Sequence, residues 1–131
     1  MIVKQIFIKE TSSNLAELKQ ELCKSKGVPL SPRAVEMVLR TMHNIKGTAP
    51  MVGYQRLSEI AIPVERAFKL IQHKSVVFNA NLVNRQTQNV VLILEELLVN
   101  DDAHTPCTKE EQRVLIKFFN DINRLKAQTD D

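Results

Sequence analysis

Tryptophan is absent from this 131-residue chain, tyrosine occurs once, and there are only three glycines, five prolines and two cysteines. Each scarcity excludes something. With so few turn residues, a many-stranded β fold is ruled out and long helices with few connections are expected. Two cysteines, Cys23 and Cys107, share no short-spaced motif and cannot scaffold a domain of this size, so reduced thiols in a cytoplasmic protein are expected. One tyrosine and no tryptophan leave little for base stacking. The charge is equally unspecialised: 18 basic and 15 acidic residues give a formal +3. They are spread along the chain, so no basic stripe points to nucleic acid. No apolar run approaches the roughly 20 residues of a membrane span. The opening stretch Met1 to Glu10 is broken by charge too early for a signal peptide. At 44% hydrophobic and 25% charged residues, the composition suits one soluble, folded domain over 1–131.

Helical periodicity runs through most of the chain. Apolar residues at Val3, Ile6, Phe7, Leu15, Leu18 and Leu22 predict a first helix over about 3–26, with Thr11 to Asn14 as a polar interruption able to shift its phase. Lys24, Lys26 and Gly27 form a C-terminal signature, and Cys23 beside Leu22 reads as a half-buried thiol. After the connector Val28-Pro29-Leu30, Ser31-Pro32 reads as N-cap and first residue of a second helix over 32–49. Its core stripe is Val35, Val38, Leu39, Met42, Ile45 and Ala49. Pro50 and Gly53 turn the chain into a third helix, 54–72, with its stripe at Leu57, Ile60, Ala61, Val64, Phe68 and Ile71. Pro63 falls inside that pattern, where a proline kinks a helix or costs ~3 kcal/mol.

The fourth pattern spans 76–99 with Leu82, Val83, Val90, Ile93, Leu94, Leu97 and Leu98 inward and the asparagines outward, ending at Asn100-Asp101-Asp102. Thr108 and Glu111 form a capping box for a fifth helix over 109–127, with Val114, Leu115, Phe118, Phe119, Ile122 and Leu125 as its stripe. The fold class is therefore all-α: an up-and-down antiparallel four-helix bundle with an additional fifth helix. Thr129-Asp130-Asp131 is expected to fray.

One stretch stands apart. His43, Lys46 and Gly47 lie at i, i+3 and i+4, so on a helix they share one face. Glu36, Arg40, His43 and Gly47 follow steps of four, three and four along a face neighbouring the core stripe. The imidazole is thus expected beside the core, with its ring on packed neighbours and one nitrogen in solvent. A glycine inside a helix costs about 0.5–1 kcal/mol relative to alanine, and one placed a turn from a histidine leaves room for something large to approach the ring.

His43-Asn44-Ile45-Lys46-Gly47-Thr48-Ala49 followed by Gly53 resembles the H-x-x-K-G-x-A-x-x-x-G signature of histidine-containing phosphotransfer (HPt) domains, the helical-bundle modules of two-component signalling. Leu57-Ser58-Glu59-Ile60-Ala61 resembles the family's third-helix pattern, which is followed by a glutamate, here Glu65. The stretch from Phe7 to Leu22 is similar to its first helix, and the five-helix length to the phosphotransfer domain of chemotaxis histidine kinases. The resemblance covers about Phe7 to Gln72. Thr48 stands where a smaller residue is common, and Pro63 lies two residues before Glu65.

The resemblance implies that His43 is the phospho-acceptor, that Glu65 orients its imidazole, that Lys46 offsets phosphoryl charge, and that Gly47 clears space for the partner. It implies a cytoplasmic phosphocarrier rather than an autonomous kinase, since nothing resembling an ATP-binding domain fits in the chain. The carrier has no cofactor of its own, because the partner receiver supplies Mg. The implied partners are a histidine kinase and a response-regulator receiver domain, with the carrier itself a monomer. Val52, Tyr54 and the Arg40 side are expected to contact them. Met1 and the polar C-terminus favour a free-standing carrier over a kinase module. Three other readings compete. A bundle that binds signalling partners without phosphorylation is countered by the presence of His43. A metal-binding bundle would need paired Glu-x-x-His motifs, and none occur. A DNA-binding turn at Pro50 to Gly53 lacks a basic face beyond Arg56. His73 and His104 have no ligand-spaced neighbours and read as surface residues.

Overall fold

A computed structural model describes residues 2–24, 30–73, 79–99 and 109–129, leaving aside the side chains at 2, 109, 111 and 125–129. Five α-helices fill these ranges: α1 (Ile2–Lys24), α2 (Pro32–Thr48), α3 (Gln55–Gln72), α4 (Ala80–Val99) and α5 (Lys109–Thr129). No strand occurs among the described residues. The expected signals at Lys26-Gly27, Val28-Pro29, Val76, Asn100 to Asp102, Thr108 and Asp130-Asp131, the Glu111 side chain of the capping box, the Leu125 side chain, His104 and Cys107 lie outside what is described.

The α2–α3 hairpin is the best-defined unit. Ser31 caps α2, its side-chain oxygen accepting the amide of Ala34 at 3.1 Å, with Pro32 at the first position where its missing N–H costs nothing. The α-helix stops at Thr48, and Ala49–Val52 tighten into a 3-10 turn. Gly53 closes that turn in the left-handed region at φ 90°, which favours glycine. The tight link lays α3 back along α2, and these two helices share the most extensive contact in the molecule. The stripe expected on α3 is buried throughout. On α2, Val35, Val38, Met42 and Ile45 are buried, as is Ala49 just past its end, while Leu39 is only half-buried. The helix α3 continues through Pro63, which is itself buried.

Around this hairpin, α5 packs on α3, and α1 packs on both α2 and α4, with smaller contacts of α4 to α3 and α5. In α1 the polar interruption does not shift the helical phase. The buried line runs Phe7, Thr11, Leu15, Leu18 and Leu22, with Thr11 filling the core-facing step and Ser12 and Ser13 pointing outward. Val3 and Ile6 do not join the core, being 65% and 49% exposed. Cys23 is exposed rather than half-buried, because it follows Leu22 off the edge of the stripe.

Further assignments differ in α4 and α5. The helix α4 begins at Ala80, with Asn79 as its cap: the Asn79 side-chain oxygen accepts the Leu82 amide at 3.0 Å, and Leu82 is exposed. The asparagines are not all outward. Asn84 is buried and donates to the Leu22 carbonyl near the end of α1, supplying a donor to a terminal carbonyl that has none within its helix. In α5, Val114 is exposed, while Leu115, Phe119 and Ile122 are buried and Phe118 is half-buried against Phe119.

Candidate functional site

The second and third helices bring His43 and Glu65 together across their interface. Glu36, Arg40, His43 and Gly47 are all exposed along the expected face, beside the buried Met42 and Ile45. From α3, the carboxylate of Glu65 reaches the His43 ring, with Oε2 2.9 Å from Nδ1. The two groups differ sharply in environment: the His43 side chain is 68% exposed and that of Glu65 only 4%. An ionised carboxylate can only accept, so Nδ1 carries the proton, which in the neutral ring leaves the lone pair on Nε2. Pro63 therefore does not displace the glutamate. It removes one backbone donor from α3, yet the helix holds its register for the two residues that follow.

Lys46 occupies the other carboxylate oxygen. Its ammonium donates to Oε1 of Glu65 at 2.6 Å and is about one-third exposed. A third cation, Lys69, stands 3.9 Å from the same oxygen, one turn further along α3. Lys69 was not among the residues singled out from the sequence. Its only signal there is the i, i+4 spacing from Glu65, which is common on solvated helix faces and becomes informative only because Glu65 is buried. Burial by itself raises the Glu65 pKa. The hydrogen bonds from Lys46 and His43, with the charges of Lys46 and Lys69, outweigh it and hold the group below the ordinary value of 4.5.

Gly47 is exposed, and a Cβ added there meets nothing within 4 Å. Close helix packing therefore does not explain this glycine, which leaves a bare step beside the ring. Tyr54, expected as a contact residue, is instead buried: its ring stacks on Phe7 with centroids 5.7 Å apart, and Lys4 lies 5.3 Å from its centre. Val52 is half-buried. Val3 and Ile6 of α1, both exposed, line an open groove with Asn44 and Thr48 of α2.

Residues 3–104 match the family model for the Hpt domain. The chain belongs to the Hpt domain family. These domains serve histidine phosphotransfer in phosphorelays as phosphocarriers rather than autonomous enzymes, and they work with kinases and receiver domains. No curated protein and no solved structure matches the chain. No helix among the described residues is long and apolar enough to cross a membrane. His73 is exposed at the end of α3, and no group of three or more potential ligands for a metal ion occurs among the described residues.

Proposed function

We propose that this Hpt domain carries a phosphoryl group on Nε2 of His43, taken from a histidine kinase or a phospho-aspartate receiver and passed to a receiver domain. The observation that carries the reading is the exposed imidazole whose Nδ1 is held at 2.9 Å by a buried carboxylate. The Nε2 lone pair attacks phosphorus, the N–P bond forms, and the bond from phosphorus to the donor oxygen or nitrogen breaks with its electron pair. When the donor is a phospho-aspartate, the leaving group is a carboxylate. The proton on Nδ1 stays in place, and Glu65 offsets the positive charge that develops on the ring. Lys46, which shares the Glu65 carboxylate with the ring, turns its ammonium to the phosphoryl oxygens. Phosphoryl transfer depends chiefly on such positioning and charge stabilisation, and any divalent cation is supplied by the receiver.

The docking face is centred on α2, with Gly47 as its clearance and Arg40 at its margin. It extends over the α1 flank at Val3 and Ile6 rather than over Tyr54. A scaffold that binds partners without phosphorylation gives no role to the carboxylate behind the ring.

The test is incubation with acetyl-phosphate-charged receivers and with histidine kinases, followed by assay for acid-labile, base-stable phosphate. Wild-type protein should label, and His43→Gln should not. Labelling that survives His43→Gln, or no labelling with any partner, leaves the scaffold reading in its place.

A further inference from the structure

Two demands fall on Lys46. At rest its ammonium lies 2.6 Å from Oε1 of Glu65, and in the phosphocarrier reading the same ammonium turns to a phosphoryl group on the far nitrogen of the His43 ring. Glu65 cannot simply be left behind. At 4% exposure its carboxylate has little access to water, and a buried anion that loses its nearest cation is strongly disfavoured in the ionised state. A carboxylate driven toward protonation would weaken its grip on Nδ1 at the moment the ring becomes cationic.

Lys69 is placed to prevent this. It sits one helical turn beyond Glu65, its ammonium is 3.9 Å from the oxygen that Lys46 occupies, and its side chain is 57% exposed. That distance exceeds a hydrogen bond. A change at the end of a flexible, solvated lysine closes it. While Lys46 is at Oε1, the two ammonium groups repel each other across one oxygen. An arriving phosphoryl group that draws Lys46 outward relieves the repulsion and opens the site to Lys69.

We infer that Lys69 is a positioning residue for phosphoryl transfer, taking over Oε1 of Glu65 when Lys46 turns to the phosphoryl group and so keeping the carboxylate on the His43 ring. The inference rests on the phosphocarrier reading. Lys69 touches neither the ring nor the phosphoryl group and acts only through Glu65.

Two measurements on the full chain test it. The first is NMR titration of the Glu65 carboxyl carbon and the His43 ring nitrogens in wild type, Lys46→Met, Lys69→Met and the double variant. Lys46→Met should keep Glu65 titrating below the ordinary range and keep the proton on Nδ1, because Lys69 closes in, and the double variant should lose both. A double variant that titrates like Lys46→Met overturns the inference. The second is loading with phosphoramidate, a small donor that phosphorylates imidazoles without a partner, followed by the decay of the phosphohistidine. Lys69→Met should lower occupancy or lifetime by about two- to five-fold, the scale of a half-exposed ion pair. Lys69→Arg should restore it, and unchanged denaturation midpoints will separate the effect from misfolding. Loading and decay like wild type overturn the role of Lys69 alone. Wild-type protein that takes phosphate neither from phosphoramidate nor from any charged receiver or kinase overturns the phosphocarrier reading, and the inference with it.

Discussion

Glu65 is a buried acid that stays ionised because two hydrogen-bond donors and a further cation surround it. Its folded-state pKa lies below the unfolded one, so its contribution to stability is fully present above the ordinary carboxylate range and is lost as pH falls through the folded value. Urea denaturation of wild type and Glu65→Gln should therefore differ by a constant amount near neutrality. The difference should shrink below about pH 4.5. Removing the carboxylate should also slow phosphate uptake about ten- to hundred-fold, the worth of one charge-assisted hydrogen bond at about 1.5–3 kcal/mol. His43, Lys46 and Gly47 were legible in the sequence because they fall within one helical turn, where spacing alone determines a shared face. Glu65 was legible only through the family pattern, since nothing local to α3 says what its carboxylate meets. Lys69 was not legible, because its meaning depends on the burial of its neighbour.

At the level of the helices, two substitutions separate folding from docking. A methyl group at position 47 has open space around it, so Gly47→Ala should stabilise α2 by up to about 0.5–1 kcal/mol, read as a higher denaturation midpoint. The same methyl lies within the proposed docking face, so loading from a charged receiver should slow more than loading from phosphoramidate. On α3, Pro63→Ala restores a backbone donor and removes a penalty of ~3 kcal/mol, against two buried methylenes lost at ~0.8 kcal/mol each. The helix should gain about 1 kcal/mol, and a lower melting temperature would refute that. Periodicity identified the apolar face of each helix but not how far the neighbouring helix extends along it. Val3, Leu82 and Val114 fall in the apolar patterns and still end in solvent, although Val83 and Leu115 beside two of them are buried, so these positions lie off the packed face of their helices. Asn84 shows the converse. A polar residue is drawn inward by a carbonyl of another helix, which no pattern within α4 can reveal.

For the whole molecule, the family match ends at residue 104, yet the core does not. Phe119 of α5 is fully buried, 6.3 Å from Phe68 of α3 between ring centres, on the same helix that holds Glu65. Phe119→Ala should cost about 3–5 kcal/mol of stability in urea denaturation, as for other large aromatic truncations in a core. The all-α bundle and the helix count followed from the scarcity of turn residues and the spacing of the stripes. The short link at Pro50 to Gly53 also implied that α3 returns beside α2, as it does, whereas the neighbours of α1, α4 and α5 did not follow, because each stripe is compatible with several partners.

The Nε2 atom of His43 has a consequence for timing. The side chain that carries that nitrogen is 68% exposed. In the proposed carrier a phosphoryl group on this exposed side chain has water close by, so its survival rests on the N–P bond and on the charges set around the ring by Glu65, Lys46 and Lys69 rather than on a covering segment. Such a molecule can relay a signal to a partner that arrives promptly, but it keeps a poor memory of one that does not.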